Sequence, residues 1–474
     1  MPRRARRYLR ATGALALVSA SLCAGGAPAV AAAGLAVKPM LFTRFAAPAQ
    51  APTEAQCVAQ FTEPCYDPAD LRTAYDVQPL YNRGIDGAGQ TIVIVDSFGS
   101  PTIRSDLATF DREFGLPAPP SFQVISPAGR VPAYDGSNSN ERGWAGETTL
   151  DVDWAHTMAP GAKILLVETP VPNPNSPTAG DSQIAEAENY VIDHHLGQVI
   201  SQSFGQAEAT FPNLASLYAL RSPYINAQQQ GVTVLAAAGD DGATNTNAAG
   251  TQFFTHRAVL WPASDPLVTA VGGTQLSLDI NGDRNQPDVV WNDSNNYALL
   301  NALTGSTDPT GIATGGGVSS VFARPWYQNG VAGVTGDHRG IPDISMSAAC
   351  SGLVLTYNSF GGEQAGWYAA CGTSEATPLF AGIVALADQV AGHSLGLINP
   401  ALYTLSAEHA PGLVDVTQGN NTVTFIQNNT SYTVRGYTAG PGYDLASGVG
   451  TVNAALFVPE LAQAAGGGYQ TARR

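Results

Sequence analysis

The chain has 474 residues, of which 44% are hydrophobic and 13% charged, with 51 Gly and 32 Pro. This composition is too apolar for a disordered chain, and the length suits one large domain or two ordinary ones. A net charge of −16, with only two lysines, argues against a surface that binds nucleic acid and is typical of a secreted protein suited to an acidic medium.

The N-terminus is typical of an export signal. Five arginines within the first ten residues precede the apolar run 11–24, and small residues in an A-x-A pattern follow. The apolar run is shorter than the roughly 20 residues that a membrane-spanning helix needs, so a membrane anchor is the less favoured alternative. We therefore predict a signal peptide over 1–33, a secreted protein that has no membrane attachment after cleavage, and a short irregular leader over 34–65.

Between residues 66 and 461, short apolar runs alternate with segments of helical character. The runs predict strands over 91–96, 163–168, 198–203, 232–237 and 267–271. The other segments predict helices over 104–114, 183–195, 213–229 and 374–391. Such alternation predicts an α/β fold with a parallel sheet and helices on both faces, in which ligands bind beyond the carboxyl ends of the strands. Residues 462–474 are predicted to form a flexible tail.

Four cysteines follow the predicted signal peptide: Cys57, Cys65, Cys350 and Cys371. An even number in an exported chain indicates disulfide bonds. Pairing Cys57 with Cys65 and Cys350 with Cys371 closes the shortest loops and is the favoured one of three possible arrangements, with buried free thiols as the alternative. A zinc site would require the closer C-x-x-C type of spacing, which the sequence does not have.

A candidate nucleophile stands at the start of the predicted helix 374–391. Residues 372–378 read GTSEATP, and proline is tolerated in the first turn of a helix because its missing N–H has no helical partner there. The Ser374 hydroxyl would face the positive end of the helix dipole, which stabilises an alkoxide and the oxyanion that it creates. Simple capping of the helix by Ser374 is the alternative explanation.

A serine nucleophile needs a base, and the segment 146–158 offers one. If this segment is helical, Glu147 and Asp151 share a face, whereas His156 points to the opposite side. This geometry makes the carboxyl pair a better base than the histidine. Folds that hold two carboxyl groups this close usually share a proton between them and separate their pKa values. An ordinary solvated acidic face is the alternative. Asp153 lies about 200° from Asp151 around the helix and is expected to be solvated.

A third acidic position follows the predicted strand 232–237. The strand ends in small residues and the acidic turn GDDG, which places Asp240 where a side chain could donate a hydrogen bond to an oxyanion. A carboxyl group donates only when it is protonated, so this role requires low pH or a strongly raised pKa. A turn aspartate without a chemical role is the alternative.

A fourth acidic feature lies near the C-terminus. Asp415 and Asp444 accompany a glycine-rich turn at 440–442. Two carboxylates and the backbone carbonyls of such a turn form the all-oxygen ligand set that calcium prefers. An Asx-rich turn without an ion is the alternative.

Many motifs of this sequence occur in the order of a single family. They include TIVIVDSFGSP (91–101), GETTLDVD (146–153), SQSFG (201–205), AAGDDGA (237–243), CGTSEATPLFAG (371–382) and GPGYDLASGVGT (440–451). Together these motifs resemble the sedolisins, or serine-carboxyl peptidases, which are similar to subtilisin in fold but use carboxylates in place of histidine. The resemblance covers roughly residues 66–457 and implies one subtilisin-like peptidase domain over 66–461.

The resemblance also implies a role for each candidate residue. Ser374 is the implied nucleophile, Glu147 its general base and Asp151 the acid that hydrogen-bonds and orients Glu147. Asp240 is the implied oxyanion-stabilising aspartate, assisted by the N–H of Ser374. One structural calcium ion is implied, with ligands from Asp415, Asp444 and the carbonyls of Val416, Gly440 and Gly442. The implied substrates are polypeptides, and we expect a monomer.

Four features depart from the family pattern. Phe204 stands where some members have tryptophan, Asp96 where some have glutamate, and Glu375 where a small or apolar residue is usual. The leader over 34–65 is also much shorter than the folded pro-domain of the family. The leading hypothesis is a secreted acid-acting peptidase, either an endopeptidase or a tripeptidyl-peptidase. The second hypothesis is a catalytically silent binding protein on the same scaffold.

Overall fold

The computed structural model describes residues 43–44, 50–172, 178–305, 308, 310–361 and 365–466. The predicted signal peptide and residues 467–474 of the predicted tail lie outside these ranges. Within them the helices are α1 Glu54–Phe61, α2 Pro68–Ala74, α3 Gln78–Tyr81, α4 Ile103–Phe114, α5 Ser139–Met158, α6 Asp181–Asp193, α7 Leu214–Ala219, α8 Ser222–Gln230, α9 Tyr297–Thr304, α10 Ala332–Thr335, α11 Thr373–Ala391, α12 Asn399–Ala407 and α13 Ala454–Gly466.

The strands of the same ranges are mostly short. They are β1 Thr43–Arg44, β2 Cys65–Tyr66, β3 Thr91–Ser97, β4 Phe122–Ile125, β5 Lys163–Thr169, β6 Val199–Gln202, β7 Gln206–Ala207, β8 Thr233–Ala237, β9 Leu260–Trp261, β10 Thr269–Gln275, β11 Val289–Val290, β12 Gly317–Ala323, β13 His338–Ile341, β14 Ile344–Ser347, β15 Leu353–Asn358, β16 Gly366–Ala370, β17 Leu413–Val414, β18 Val423–Gln427, β19 Thr430–Val434 and β20 Thr451–Val452.

The central sheet is parallel. Its strands lie in the order β4-β5-β3-β6-β8-β10-β14, and the short β11 pairs antiparallel with the end of β10. From β3 the chain goes first to β4 at one edge of the sheet and then returns to β5, which lies between β4 and β3, whereas from β6 onward it builds towards the other edge. The direction of building therefore changes between β3 and β6, which is the place where parallel α/β sheets bind their ligands.

Helices cover both faces of this sheet, as the sequence predicts. Ile92 and Ile94 of β3 pack in one hydrophobic layer, and Val93 and Val95 pack in the other, because successive side chains of a strand point to opposite faces. Helices α5 and α11 belong to the first layer, and α6 and α8 belong to the second. The predicted α/β fold is confirmed.

The two helices that carry the candidate serine and glutamate pack closely together. A Cβ atom added to Gly382 of α11 would lie only 2.4 Å from the Cβ of Met158 on α5, so this crossing accepts only glycine without movement. Ser203 hydrogen-bonds to both Asp151 of α5 and Ser374 of α11 near the other end of the pair. The helices therefore run in the same direction and bring their reactive ends to one edge of the sheet.

Two of the predicted elements differ from the structure. The single helix predicted over 213–229 is divided into α7 and α8, because Pro223 has no N–H and its ring would clash with the carbonyl of Ala219 in a continuous helix. The helix predicted over 183–195 ends at Asp193. The strands that carry the candidate site lie within one or two residues of their predicted positions.

We expected the segment 34–65 to be irregular, but part of it is helical. It contains α1, whose N-terminus is capped reciprocally by Thr53 and Gln56. Phe61 and the Cys57–Cys65 disulfide of this segment are buried in the main core. At the other end of the chain, α13 continues into the predicted tail as far as Gly466. The second predicted disulfide, Cys350–Cys371, is also formed.

Candidate active site

The candidate nucleophile lies at the N-terminus of α11. Gly372 precedes the helix with a φ of 122°, a backbone conformation that only glycine adopts readily. The Ser374 side chain is fully buried, and its Oγ has no hydrogen-bond partner among the described residues. Because Ser374 is in the first turn, its N–H has no acceptor within the helix. The hydroxyl thus has no hydrogen-bond partner among the described residues, and the N–H has none within the helix.

Glu147 and Asp151 lie one turn apart on α5, and both are buried. Burial is the main cause that raises the pKa of Glu147 well above its usual range, and the charge of Asp151 raises it further. The Ser374 hydroxyl lies close enough to lower this pKa, yet the pair does not form a hydrogen bond of regular geometry. Neither oxygen of Glu147 accepts a hydrogen bond of regular geometry from a described residue, and a proton shared with Asp151 is one arrangement that would satisfy the pair.

Asp151 has a hydrogen-bond donor of its own. The Ser203 hydroxyl, at the end of β6, donates to Asp151 Oδ1 at 2.7 Å. Burial raises the pKa of Asp151 well above its usual range, the charge of Asp96 raises it further, and the Ser203 hydrogen bond acts in the opposite direction. The second oxygen, Oδ2, has no donor among the described residues.

A third carboxyl group joins this pair from β3. Asp96 is fully buried at the carboxyl end of β3, and its charge raises the pKa of both Glu147 and Asp151. Burial, together with the neighbouring Glu168 on β5, raises the pKa of Asp96 itself to about 7. Asp96 and Glu168 are register partners in the parallel sheet. The aspartate that departs from the family pattern therefore still lies within the carboxyl cluster.

Asp240 lies beside the start of α11, in the turn after β8. Its Oδ1 accepts hydrogen bonds from the N–H and the hydroxyl of Thr373 at 2.7 and 2.8 Å. Oδ2 has no partner among the described residues, and it lies 2.8 Å from the position of a Cβ atom added to Gly372. Burial raises the pKa of Asp240 to about 6, although the bonds from Thr373 lower it. One oxygen is thus fixed by Thr373, and the other faces the serine-bearing loop.

Glu375 lies next to the nucleophile but points elsewhere. Its side chain is fully buried, and neither of its oxygens forms a hydrogen bond of regular geometry with a described residue. Burial raises its pKa well above the usual range, the nearby Ser347 hydroxyl lowers it, and the charge of Asp240 raises it. Its charge also raises the pKa of Tyr75, which accepts a hydrogen bond from the N–H of Ser347. The carboxyl group therefore lies near the end of β14.

Two other titratable residues of α5, His156 and Asp153, lie away from this cluster. The His156 ring nitrogen Nε2 is 2.8 Å from the carbonyl of Pro117 and 3.4 Å from Asp111 of α4, in agreement with its predicted direction. Burial lowers the pKa of His156 to about 4. The prediction that Asp153 is solvated is wrong, because Asp153 is fully buried. Helix α5 packs against α4, α11, β3 and β15 and so has no solvent-facing side there.

The candidate calcium ligands converge on one turn. Asp444 accepts hydrogen bonds from the N–H of Gly440, Ala446 and Ser447 at 3.1, 2.8 and 2.9 Å. Asp415 accepts one from the N–H of Gly442 at 2.8 Å. Among the described residues there is no group of three or more His, Cys, Asp or Glu side chains that could hold a metal ion. The carboxylates are of the type that calcium prefers, and backbone oxygens would have to supply the remaining ligands.

Comparison with known proteins identifies the family. A model of the Subtilase family matches residues 133–408. Kumamolisin of Bacillus sp. strain MN-32 is 32% identical over 431 residues, which are 88% of this chain and 68% of kumamolisin. The chain belongs to the sedolisin family. The predicted resemblance and the subtilisin-like fold are thereby confirmed, as is membership of a family of serine-type peptidases.

Other sedolisins give the same result. Sedolisin of Pseudomonas sp. strain 101 is 30% identical over 405 residues, 85% of this chain and 62% of that protein. Tripeptidyl-peptidase 1 of Homo sapiens is 30% identical over 368 residues, 74% of this chain and 56% of that protein. The solved structure of Pseudomonas sedolisin with pseudo-iodotyrostatin has a TM-score of 0.68 at 28% identity and covers 84% of this chain and 97% of that one. The chain thus spans about three fifths of the length of these two curated relatives.

The sequence motifs predict all four candidate catalytic residues, but they assign no role to two of the partners of those residues. Ser203 belongs to the motif SQSFG and Thr373 to GTSEATP, and each donates to a candidate carboxyl group. The only sequence feature that could have indicated these roles is that Ser203 precedes Phe204 and Thr373 precedes Ser374. Separately, no helix of the described residues is long and apolar enough to cross a membrane.

Proposed function

We propose that this sedolisin hydrolyses peptide bonds at acidic pH, with Ser374 as the nucleophile and Glu147 as its general base. One observation carries the proposal. The Ser374 hydroxyl and the Glu147 carboxyl group are buried side by side, and neither has a regular hydrogen-bond partner among the described residues. Each is therefore available to the other when a substrate enters.

The reaction follows from these positions. Ser374 Oγ forms a bond with the scissile carbonyl carbon while its proton passes to Glu147. The Ser374 N–H and the protonated carboxyl group of Asp240 then stabilise the oxyanion. The amine leaves with the proton from Glu147, and an acyl-enzyme remains. Water attacks the acyl carbonyl with Glu147 again as the base, which releases the acid and restores Ser374.

The requirement for acid follows from Asp240 and from the carboxyl pair. A carboxyl group donates a hydrogen bond only when it is protonated. Because burial raises the pKa of Asp240 to about 6, its donor is present below that pH and lost above it. The proton shared by Glu147 and Asp151 is also lost as pH rises, and with it the orientation of the base. Activity should therefore fall towards neutral pH.

We also propose one structural calcium ion near the C-terminus. Asp415, Asp444 and the carbonyls of Val416, Gly440 and Gly442 would hold it, and it would stabilise the turn without entering the reaction. The convergence of both carboxylates on the turn 440–442 supports this proposal. Addition of calcium should raise the melting temperature, and a melting temperature that is equal in calcium and in chelator would refute the site.

The place of action is proposed from the sequence and the disulfides. The segment 1–33 would direct export and be removed, and two disulfides suit an oxidising compartment. The peptidase domain, proposed over 66–461, would also include α1, because Phe61 and Cys57 are buried in its core. Polypeptides are the proposed substrates and a monomer is the proposed state.

The deciding experiment measures cleavage of a denatured protein between pH 3 and pH 8. The wild type is compared with Ser374→Ala and Glu147→Gln, and melting curves establish that each variant is folded. We expect activity only in acid and a loss of activity in both variants. Mass spectrometry of the products distinguishes tripeptides released from one end from internal fragments. A rate that rises steadily to neutral pH would contradict the mechanism.

The alternative of a catalytically silent binding protein has its own signature. A reagent that labels activated serines should modify Ser374 in the wild type at acidic pH but not in Glu147→Gln. A folded wild-type protein with neither label nor cleavage at any pH would favour the silent scaffold. The close grouping of Ser374, Glu147, Asp151 and Asp240 supports the peptidase.

A further inference from the structure

Ser203 occupies a position between the carboxyl pair and the nucleophile. It is fully buried just beyond the end of β6, where the direction of building of the sheet changes. Its hydroxyl lies 2.7 Å from Asp151 Oδ1 and 3.3 Å from the backbone carbonyl of Ser374. These contacts connect α5, β6 and α11, the elements on which the acid, Ser203 and the nucleophile lie.

The contact with Asp151 distinguishes its two oxygens. A hydroxyl has one hydrogen, and the shorter contact, 2.7 Å, is with Oδ1. The carbonyl-type oxygen of a neutral carboxyl group is its better acceptor, so Oδ1 is the oxygen without the proton. The proton then belongs on Oδ2, which has no donor among the described residues and is free to share its hydrogen with a second carboxylate.

We propose that Ser203 is a positioning residue of the peptidase reaction. It fixes the proton shared by Glu147 and Asp151, here called the dyad, on Oδ2 of Asp151 and so leaves Glu147 as the base. The inference rests on the proposed function and deepens it. Ser203 neither gains nor loses a proton in the reaction. In the attack the Ser374 O–H bond breaks, a Glu147 O–H bond forms, and the Asp151 Oδ2 hydrogen keeps the glutamate aligned.

The second contact gives Ser203 a further effect on the geometry. The carbonyl of Ser374 accepts from the same hydroxyl at the longer distance of 3.3 Å, as the weaker arm of a shared hydrogen bond. Ser203 Oγ thus contacts both the side chain of Asp151 and the backbone of Ser374. Removal of that atom should affect the chemical step more than substrate binding, because a small error in the position of the base costs rate.

The experiment compares Ser203→Thr with Ser203→Val, because the two side chains have nearly the same shape and differ in the hydroxyl. We expect the valine variant to have a kcat about ten- to a hundredfold below that of the threonine variant, with KM nearly unchanged. The hydroxyl stabilises the ionised pair, so its loss should also move the acid limb of kcat/KM to higher pH by about one unit.

Ser201→Ala is the matched control. Ser201 is two residues earlier, is equally buried, and its hydroxyl has no partner among the described residues. This variant should retain the wild-type kcat and pH profile. A purely structural effect of Ser203 would lower the melting temperature of the valine variant without moving the acid limb.

The result that overturns the proposal is a valine variant whose kcat and acid limb equal those of the threonine variant while the wild type is active. A folded but inactive wild type would instead be a failure of the proposed function, so the two failures are distinguishable. If both substitutions prevent folding, Ser203→Ala and Ser203→Cys are compared. Equal kcat values and equal acid limbs in that pair and in the wild type would likewise refute the role of the hydroxyl.

Discussion

Replacing Glu375 by glutamine should make the fold less sensitive to a rise in pH. Glu375 is fully buried, and among the described residues it is part of no ion pair. Burial raises its pKa in the folded protein well above the value of 4.5 for an exposed glutamate. Above pH 4.5 the unfolded chain therefore releases this proton while the folded chain retains it, and the free energy of unfolding decreases as pH rises.

The size of this effect follows from linkage. One proton costs about 1.4 kcal/mol for each pH unit between the unfolded pKa and the folded pKa. Between pH 4.5 and 6.5, a glutamate that stays protonated in the folded state removes about 2.3 kcal/mol of stability, because the unfolded carboxyl group is already half ionised at pH 4.5. Glutamine cannot ionise and keeps nearly the same shape, so the variant should not show this loss of unfolding free energy between pH 4.5 and 6.5.

Urea unfolding at pH 4.5, 5.5 and 6.5 measures the difference. All variants carry Ser374→Ala, which prevents self-digestion during the measurement. Glu186→Gln, which changes an exposed glutamate on α6, is the matched control and should leave the pH dependence unchanged. If Glu375→Gln and its parent lose the same free energy between pH 4.5 and 6.5, the carboxyl group is already ionised in the fold and the reasoning is wrong.

Three further predictions concern the site and its support. Asp240→Ala should lower kcat about 10²- to 10³-fold with little change in KM. Asp240→Asn donates a hydrogen bond at every pH and should therefore extend activity above pH 6. Equal pH profiles of the asparagine variant and the wild type would contradict this. A hundredfold excess of calcium over its Kd should stabilise the wild type by about 2.7 kcal/mol, measured by thermal melting, and leave Asp444→Asn unchanged. Opening the Cys350–Cys371 disulfide by double alanine substitution should cost about 3.4 kcal/mol, against about 2.6 kcal/mol for Cys57–Cys65, because its sequence separation of 21 closes a longer loop than a separation of 8; urea unfolding measures both.

Local sequence was sufficient for the elements that are buried on both faces. The run TIVIV of β3 and the apolar stretch of α11 predict their own structures, because few positions in them could face solvent. The single helix predicted over 213–229 is wrong because Pro223 cannot continue the preceding turn and so divides the segment into α7 and α8. The fate of Asp153 depended on α4 and β15, which pack on α5 from distant parts of the chain.

The candidate site shows the same division. Ser374, Glu147, Asp151 and Asp240 could be named from motifs, since Ser374 stands at a helix start, Asp240 follows a strand end, and Glu147 and Asp151 are spaced one helical turn apart. The Ser203 contacts could not, because they join residues 52 and 171 positions apart and depend on the register of β6 in the sheet. Pairing of distant segments is the information that local patterns lack.

The contact of Gly382 with Met158 restricts evolutionary change in the core but not in the surface loops. It fixes the crossing of α5 and α11 about two turns below the reactive ends, away from the surface where peptides would enter. The packing of these two helices in the core thus sets the spacing between Ser374 and Glu147, whereas the loops around the edge of the sheet are free to vary. We expect relatives with different preferences to differ in those loops and to keep a small residue at this crossing.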